Sequence, residues 1–206
     1  MDWLATWGLA MGAAWLSGIR LYASVLTFGL LQRFGFAHLP GELRILGEWW
    51  VLAAAGLLCL IELVADKIPA IDSAWDAVHT FIRIPAGAVL AAAAFWQFDD
   101  RVRVLAFLLG GGLALTSHGT KATTRLAVNA SPEPFSNIAL SLLEDAASAG
   151  LSLLAAFHPV VMLVVVAVLA LIGILIIRKL ARGFRSLVRR CVGQAVSLRR
   201  VVNPPD

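Results

Sequence analysis

Two basic residues lie inside apolar stretches that are long enough to cross a membrane. Arg20 comes two positions after Gly18 in the first stretch, and Lys121 comes two positions after Gly119 in a later one. A charge at membrane depth costs about 2.5–3.5 kcal/mol on insertion scales, so such a residue usually marks a functional site. Each glycine predicts a helix break, where free backbone N–H groups and the base together favour an anion. The alternative is that both bases only pair with buried carboxylates.

Two adjacent acids, Glu144 and Asp145, lie near the middle of an apolar segment at residues 135–157. Carboxylates at that depth are unfavourable unless they are paired. Lys121 and Arg125 are the obvious partners, and without partners the two acids could form a proton or cation site. The ion- or substrate-binding residues predicted from the sequence are Arg20, Lys121, Arg125, Asn129, Glu144 and Asp145.

A third polar group follows one face of another predicted helix, because its members are spaced by four, three and four positions. The members are Asp72, Asp76, His79 and Arg83, and Asp66 lies shortly before them. A polar stripe on a membrane helix usually faces a water-filled cavity or the bundle interior, and a histidine near a carboxylate can relay protons. We expect these five residues to form a relay or access path. A solvated loop edge would also explain Asp72 and Asp76.

The composition around these residues is that of a membrane protein. The chain of 206 residues is 60% hydrophobic with a mean hydropathy of +0.83, whereas soluble domains are about 45–50% apolar. The HExxH, GxSxG and P-loop patterns of common enzymes are absent from the sequence. We therefore predict an all-α polytopic membrane helix bundle without a cofactor, and we do not expect an enzyme. The spacing of Glu62 and Asp66, one helical turn apart, leaves a metal site open.

Both halves of the chain have the same predicted order of elements: a broken segment followed by two helices. Arg20 and Lys121 lie 101 positions apart (from 20 to 121), which favours an internal duplication. The predicted pseudo-repeats are residues 3–98 and 102–177, within a single transmembrane domain at residues 1–177. The predicted segments are 3–36, 49–65, 72–98, 102–130, 135–157 and 160–177.

Residues 178–206 form a basic tail. Residues 178–200 carry eight Lys and Arg residues, and Asp206 is the one acid after them. Short basic segments stay in the cytoplasm and attract anionic lipid headgroups. We therefore predict a multi-pass protein of the cell inner membrane with a cytoplasmic C-terminus. We expect the tail to contact anionic lipid, and we expect no nucleic-acid partner.

The placement of charge also predicts how the broken segments cross. If each segment crossed once, the bases beside them would lie outside and the acidic segment 66–76 would lie inside, against the positive-inside rule. Re-entrant hairpins that return to their own side avoid this conflict, and their polar legs must be buried among other helices. An inverted three-plus-three arrangement with continuous broken helices is the alternative.

Two polar blocks, at residues 66–87 and 121–145, carry a family resemblance. The first contains Asp66-Lys67-Ile68-Pro69 and Trp75-Asp76, and the second contains Ser131-Pro132-Glu133-Pro134 and Glu144-Asp145. Together they resemble an uncharacterised family of small bacterial polytopic integral membrane proteins, over the chain up to about Ile177. The resemblance implies no activity. It implies only that these polar blocks are the recognisable features of the family, which fits a site built from them.

Charge at membrane depth in both halves favours a small transporter or channel for an ion or a small charged solute. Frequent small residues, such as Ala10, Gly12 and Ala13, favour close helix packing within the chain or in a homo-oligomer. One alternative is a lipid flippase or an intramembrane enzyme that grips a phosphorylated lipid with the same bases. A second alternative is a structural membrane scaffold in which every buried charge is paired.

Overall fold

The computed structural model describes residues 2–129 and 134–202, apart from the side chains of residues 69, 70, 72, 73, 129, 134, 137 and 184–202. Within these residues every regular element is a helix, which confirms the all-α prediction. The helices are α1 (Trp3–Arg33), α2 (Trp49–Ala65), α3 (Pro69–Ala94), α4 (Asp100–Asn129), α5 (Pro134–Phe157) and α6 (Pro159–Val202), with a 3₁₀ helix at Gly41–Gly47 before α2.

The helices are those of a multi-pass membrane protein. Five of those described, α1 and α3 to α6, are long and apolar enough to cross a membrane. The 3₁₀ helix and α2 pass the same test together, with a bend of 71° between them. Large apolar side chains remain exposed along the helices, as in Phe81 and Phe135. In water this surface would be unfavourable, whereas lipid tails cover it without cost.

Proline sets three of the helix starts. Pro69, Pro134 and Pro159 each occupy the first position of a helix, where the missing N–H has no partner to lose and the fixed φ suits the helix. Pro159 also ends α5, because the residue before a proline is pushed out of the helical region. The sequence therefore specifies these boundaries locally.

α1 is a hairpin with its turn at Arg20, whose φ of −145° and ψ of 75° are non-helical. Thr6 and His38 line one cavity of about 280 Å³, and the Leu39 N–H donates to Gln32 Oε1 at 2.7 Å. A straight helix would separate Thr6 from Gln32 by about 39 Å, so the second leg must return to the level of the first. Leg one is residues 3–19 and leg two is residues 21–33. The first half therefore contains a hairpin, as predicted. Its two ends lie beside Pro159, at the start of α6, and so at the opposite end of the bundle from the basic tail, whereas the charge placement predicted that the ends and the tail share one side.

The predicted hairpin at Gly119 is wrong, because α4 is one continuous helix. It runs antiparallel to α3 along its length: Lys121 lies beside Asp76 and His118 beside Thr80, and a Cβ at Gly110 would touch Ala91. A helical glycine costs only about 1 kcal/mol relative to alanine, and this packing outweighs that cost. Since the two halves differ in this way, the predicted internal repeat is not confirmed.

Leg one lies at the centre of the bundle. Its residues Ala10, Ala13 and Ala14 are fully buried, and Gly8 and Gly12 pack directly on Pro159 and Met162 of α6. Small residues permit this close approach of helices inside a membrane.

The N-terminal face is the end of the bundle with Trp3, Phe98 and Pro159, and the tail face is the opposite end. The rise from Trp3 to Arg20 is about 25 Å, within a hydrocarbon core of about 30 Å.

The hairpin makes a direct topological prediction. In a background with Cys59→Ala and Cys191→Ala, we expect Asp2→Cys and Phe36→Cys to react with a membrane-impermeant maleimide from the same side of the membrane. Both positions are exposed and lie at the same face of the bundle. Arg182→Cys, beyond the tail face, is the control that reacts from the other side. Labelling of Phe36→Cys together with Arg182→Cys would contradict the hairpin.

Candidate functional site

Arg20 lies at the tip of the hairpin and is 1% exposed. Its Nη1 forms an ion pair with Asp66 at the end of α2. Its Nη2 lies 3.1 Å from Asp145 Oδ1 and 3.8 Å from Glu144 Oε2 of α5. The same Nη2 donates to the carbonyl and the hydroxyl of Ser141, at 3.3 and 3.1 Å. The guanidinium therefore ties the re-entrant tip to two membrane helices.

The turn at Arg20 presents carbonyl groups to α4. A non-helical residue interrupts the N–H to carbonyl ladder of a helix, so nearby backbone groups need other partners. Lys121 Nζ donates to the Ile19 carbonyl at 3.2 Å, and His118 Nδ1 lies 3.3 Å from the Gly18 carbonyl. The sequence predicted free N–H groups and an anion at this break. The contacts at the turn have the opposite polarity, because carbonyl oxygens accept from side-chain donors of α4.

The α4 bases interact with acids on three helices. Arg125 binds Glu144 with two hydrogen bonds, from Nε at 3.1 Å and from Nη2 at 2.7 Å. Lys121 Nζ lies 3.4 Å from Asp76 Oδ1, 3.7 Å from Glu144 Oε2 and 3.9 Å from Asp66 Oδ2. Arg125 also lies 3.8 Å from Asp66 Oδ2. The predicted partnership of α4 bases with α5 acids is thus present, and Asp66 joins it.

Three of the five residues predicted as a separate relay path, Asp66, Asp76 and Arg83, join the same cluster. Arg83 Nη1 donates to Asp76 Oδ1 at 2.7 Å, and Arg83 Nη2 pairs with Glu62. Glu62 was not among the predicted site residues. Its position one turn before Asp66 was a signal that could have identified it, because residues four apart share a helix face. No group of three metal-ligating side chains occurs among the described residues.

The charged cluster, as we define it, consists of nine buried or half-buried side chains contributed by five helices. Four are basic and five are acidic, so the fully ionised cluster carries a net charge of −1 among the described side chains. Its members are Arg20, Glu62, Asp66, Asp76, Arg83, Lys121, Arg125, Glu144 and Asp145. The side chains of Asp72 and Asn129, two further predicted site residues, lie outside the described residues.

Not every carboxylate oxygen of the charged cluster is satisfied. Glu62 Oε2, Asp76 Oδ2 and Asp145 Oδ2 are buried and have no hydrogen-bond partner among the described residues. A cavity of about 200 Å³ lies between α3 and α4, and Asp76, Thr80 and Arg125 are on its wall. The cavity walls are mainly apolar, and Asp76, Thr80 and Arg125 are their polar groups, so a water molecule in the cavity would bind beside these three side chains. Asp76 is therefore a carboxylate of the charged cluster that borders a cavity.

Two histidines flank the charged cluster, and each has its Nδ1 beside a backbone carbonyl. His79 Nδ1 lies 2.8 Å from the Trp75 carbonyl, and its Nε2 lies 3.0 Å from the Tyr22 hydroxyl. His118 Nε2 lies 2.7 Å from Thr80 Oγ1. A carbonyl only accepts, so both rings must carry their proton on Nδ1. His118, Thr80 and Tyr22 were missed in the sequence because nothing in their spacing sets them apart.

Comparison with known proteins gives a family and no activity. Residues 8–179 match the family model described as "Domain of unknown function (DUF4126)". No curated protein and no solved structure matches the chain significantly. The match covers all nine members of the charged cluster.

Proposed function

The chain belongs to the DUF4126 family, whose description assigns no activity, and we propose from the charged cluster that it is a small transporter or channel for a cation. One observation carries the proposal: five carboxylates face four basic groups within the charged cluster, and the further base that acts on Asp145, Lys67, is exposed. A net negative charge in a medium of low dielectric is strongly unfavourable. A proton or a monovalent cation bound there would neutralise it.

The same contacts argue against an anionic cargo. Each base of the charged cluster already has a carboxylate partner within 4 Å, such as Glu144 on Arg125 and Glu62 on Arg83. A phosphate or a phosphorylated lipid would have to displace these carboxylates and leave them buried without a partner, which costs about 3–5 kcal/mol for each broken pair. The proposal therefore favours cation movement over the lipid-handling alternative.

Asp145 is the acid on the α5 side of the charged cluster at which we expect the cation to exchange with solvent. Its side chain is 27% exposed, whereas that of Asp66 is fully buried, and its Oδ2 has no hydrogen-bond partner among the described residues. Movement of the hairpin tip, which meets Asp145 through Arg20, would then open or close the path. Such gating at a broken helix within the membrane is common in transporters.

Flux of H⁺, Na⁺ and K⁺ into proteoliposomes tests the proposal. We expect one of these cations to move, and Asp145→Asn to reduce its flux by about tenfold or more, because removal of one charge near a bound ion removes several kcal/mol of attraction. Asp99→Asn, at an exposed position outside the charged cluster, is the control and should retain full flux. Equal flux of wild type and Asp145→Asn for every cation that moves would contradict the proposal.

Orientation and assembly form part of the same proposal. The eight basic residues at positions 178–200 follow the tail face and outnumber the four bases near the N-terminal face, which are Arg33, Arg44, Arg101 and Arg103. The positive-inside rule therefore orients the tail face to the cytoplasm of a bacterial inner membrane, although the acidic segment 66–76 then also lies on the cytoplasmic side. The tail would contact anionic lipid there. Small residues on the helices would allow a homo-oligomer.

A scaffold is the second candidate, and the ion pairs favour it. The charged cluster joins α1, α2, α3, α4 and α5, so its members could serve only to hold these helices together. If no cation moves while Asp145→Asn lowers the melting temperature in detergent, the scaffold is supported over the transporter.

A further inference from the structure

His118 sits between the turn of the hairpin and the cavity beside Asp76. Its Nδ1 faces the Gly18 carbonyl at 3.3 Å, immediately before the non-helical turn. Its Nε2 faces Thr80 Oγ1 at 2.7 Å, and Thr80 is on the cavity wall. His118 is itself 3% exposed. The Thr80 hydroxyl is therefore the polar group that connects the ring to the cavity.

The Thr80 hydroxyl has two possible acceptors. Oγ1 lies 2.9 Å from the Asp76 carbonyl and 2.7 Å from His118 Nε2. A hydroxyl has one proton to donate, so the two contacts cannot both be made by donation from Thr80. With a neutral His118, Thr80 donates to Nε2. With a cationic His118, Nε2–H donates to Oγ1, and Thr80 turns its proton to the Asp76 carbonyl.

We infer that the transported cation is a proton, and that His118 Nε2 takes it up from the cavity through the Thr80 hydroxyl. This inference rests on the proposed cation transport. A hydronium ion in the cavity gives its proton to Thr80 Oγ1, and the original Thr80 proton passes to Nε2. A water molecule is left, and the ring gains one positive charge. That charge offsets the net −1 of the charged cluster.

The groups around His118 fit a ring that gains and loses a proton. Asp76 and Arg83 from α3 and Lys121 from α4 interact electrostatically with it, and α1 contributes the Gly18 carbonyl. Burial of the ring, Arg83 and Lys121 oppose the imidazolium, whereas Asp76 and the Gly18 carbonyl stabilise it. Because the neighbouring charges both attract and repel the protonated ring, we expect His118 to bind a proton and to release it again, as transport requires. The contact with Gly18 links this step to the hairpin turn.

Proton flux in proteoliposomes with an imposed pH gradient is the first test. We expect Thr80→Val and His118→Gln to reduce the flux by about tenfold or more, since a positioned proton-transfer group contributes factors of this size. Thr80→Ser keeps the hydroxyl and should retain most of the flux. His158→Gln, outside the charged cluster, is the histidine control.

Nitrogen-15 NMR of labelled histidine is the second test, and it does not depend on folding of a variant at His118. We expect the Nδ1–H tautomer of neutral His118 at alkaline pH, a doubly protonated ring at acid pH, and slower exchange between these two forms in Thr80→Val. Proton flux that is unchanged in Thr80→Val and His118→Gln overturns the inference, as does an Nε2–H tautomer. Flux of Na⁺ or K⁺ without protons overturns the inference alone, and the absence of any cation flux overturns the proposed function as well.

Discussion

Asp66→Asn is expected to lower the free energy of unfolding by about 3–5 kcal/mol, the loss typical of breaking a buried ion pair by removing one partner. The Asp66 carboxylate faces three bases: it pairs with Arg20 and lies 3.9 Å from Lys121 Nζ and 3.8 Å from Arg125 Nη2. Asparagine has nearly the same shape, so the change removes charge and little packing. Three cations would then share fewer carboxylates at membrane depth.

The measurement is reversible unfolding in detergent or bicelles, followed by helix content. Asp99→Asn is the matched control, because Asp99 is exposed and its side chain accepts a local hydrogen bond from the Arg101 N–H. Surface substitutions of that kind usually stay within about 0.5 kcal/mol. If Asp66→Asn proves as stable as Asp99→Asn, the charged cluster does not hold the helices together.

Gly18→Ala is expected to destabilise the fold by about 1–3 kcal/mol through overpacking and to impair cation flux. A Cβ at this position would overlap Ser117 Oγ and the Ala114 carbonyl oxygen, and it would lie 2.8 Å from the backbone nitrogen of His118. Two of these atoms belong to the backbone of α4, so α4 must move away from the hairpin. Lys121 and His118 would then lose their carbonyl partners at the turn.

Gly112→Ala provides the matched glycine control, because a Cβ there would meet no atom within 4 Å. Alanine is favoured over glycine in a helix by about 1 kcal/mol, so this variant should be as stable as wild type or more stable. Measuring unfolding and flux on both variants distinguishes the effect of the close contact between Gly18 and α4 from the effect of helix propensity. Similar stability of Gly18→Ala and wild type would mean that the hairpin and α4 are farther apart than described.

The contrast between Arg20 and Lys121 shows the limit of what a local sequence pattern can predict. Each follows a glycine in an apolar stretch, and the same reasoning predicted two hairpins. Only the first exists, because α4 packs along α3 without interruption while the chain after Arg20 meets the 3₁₀ helix and α2. A glycine lowers the cost of a break by about 1 kcal/mol relative to alanine, and that difference is too small to decide against long-range packing.

The two polar groups predicted as separate show the same limit. Asp76 and Arg83 share a helix face as their spacing indicates, yet they lie in the charged cluster with Lys121 and not on a distinct path. Coulomb attraction depends on separations of about 4 Å, and sequence spacing gives such distances only within one helix. Which acid meets which base is decided when five helices pack.

The sequence alone indicated an all-α membrane protein, a resemblance to an uncharacterised family, and the charged residues that matter. Long apolar segments favour membrane helices, and a charge inside such a segment is unfavourable in lipid unless it has a partner or a function. The tertiary structure alone decided that Arg20 is the tip of a re-entrant hairpin and that Asp66, Asp76 and Glu144 converge on the same bases. It also joined Thr80 to His118. The contacts of the charged cluster connect residues up to 125 positions apart, as for Arg20 and Asp145, and only the packing of the helices brings them within reach.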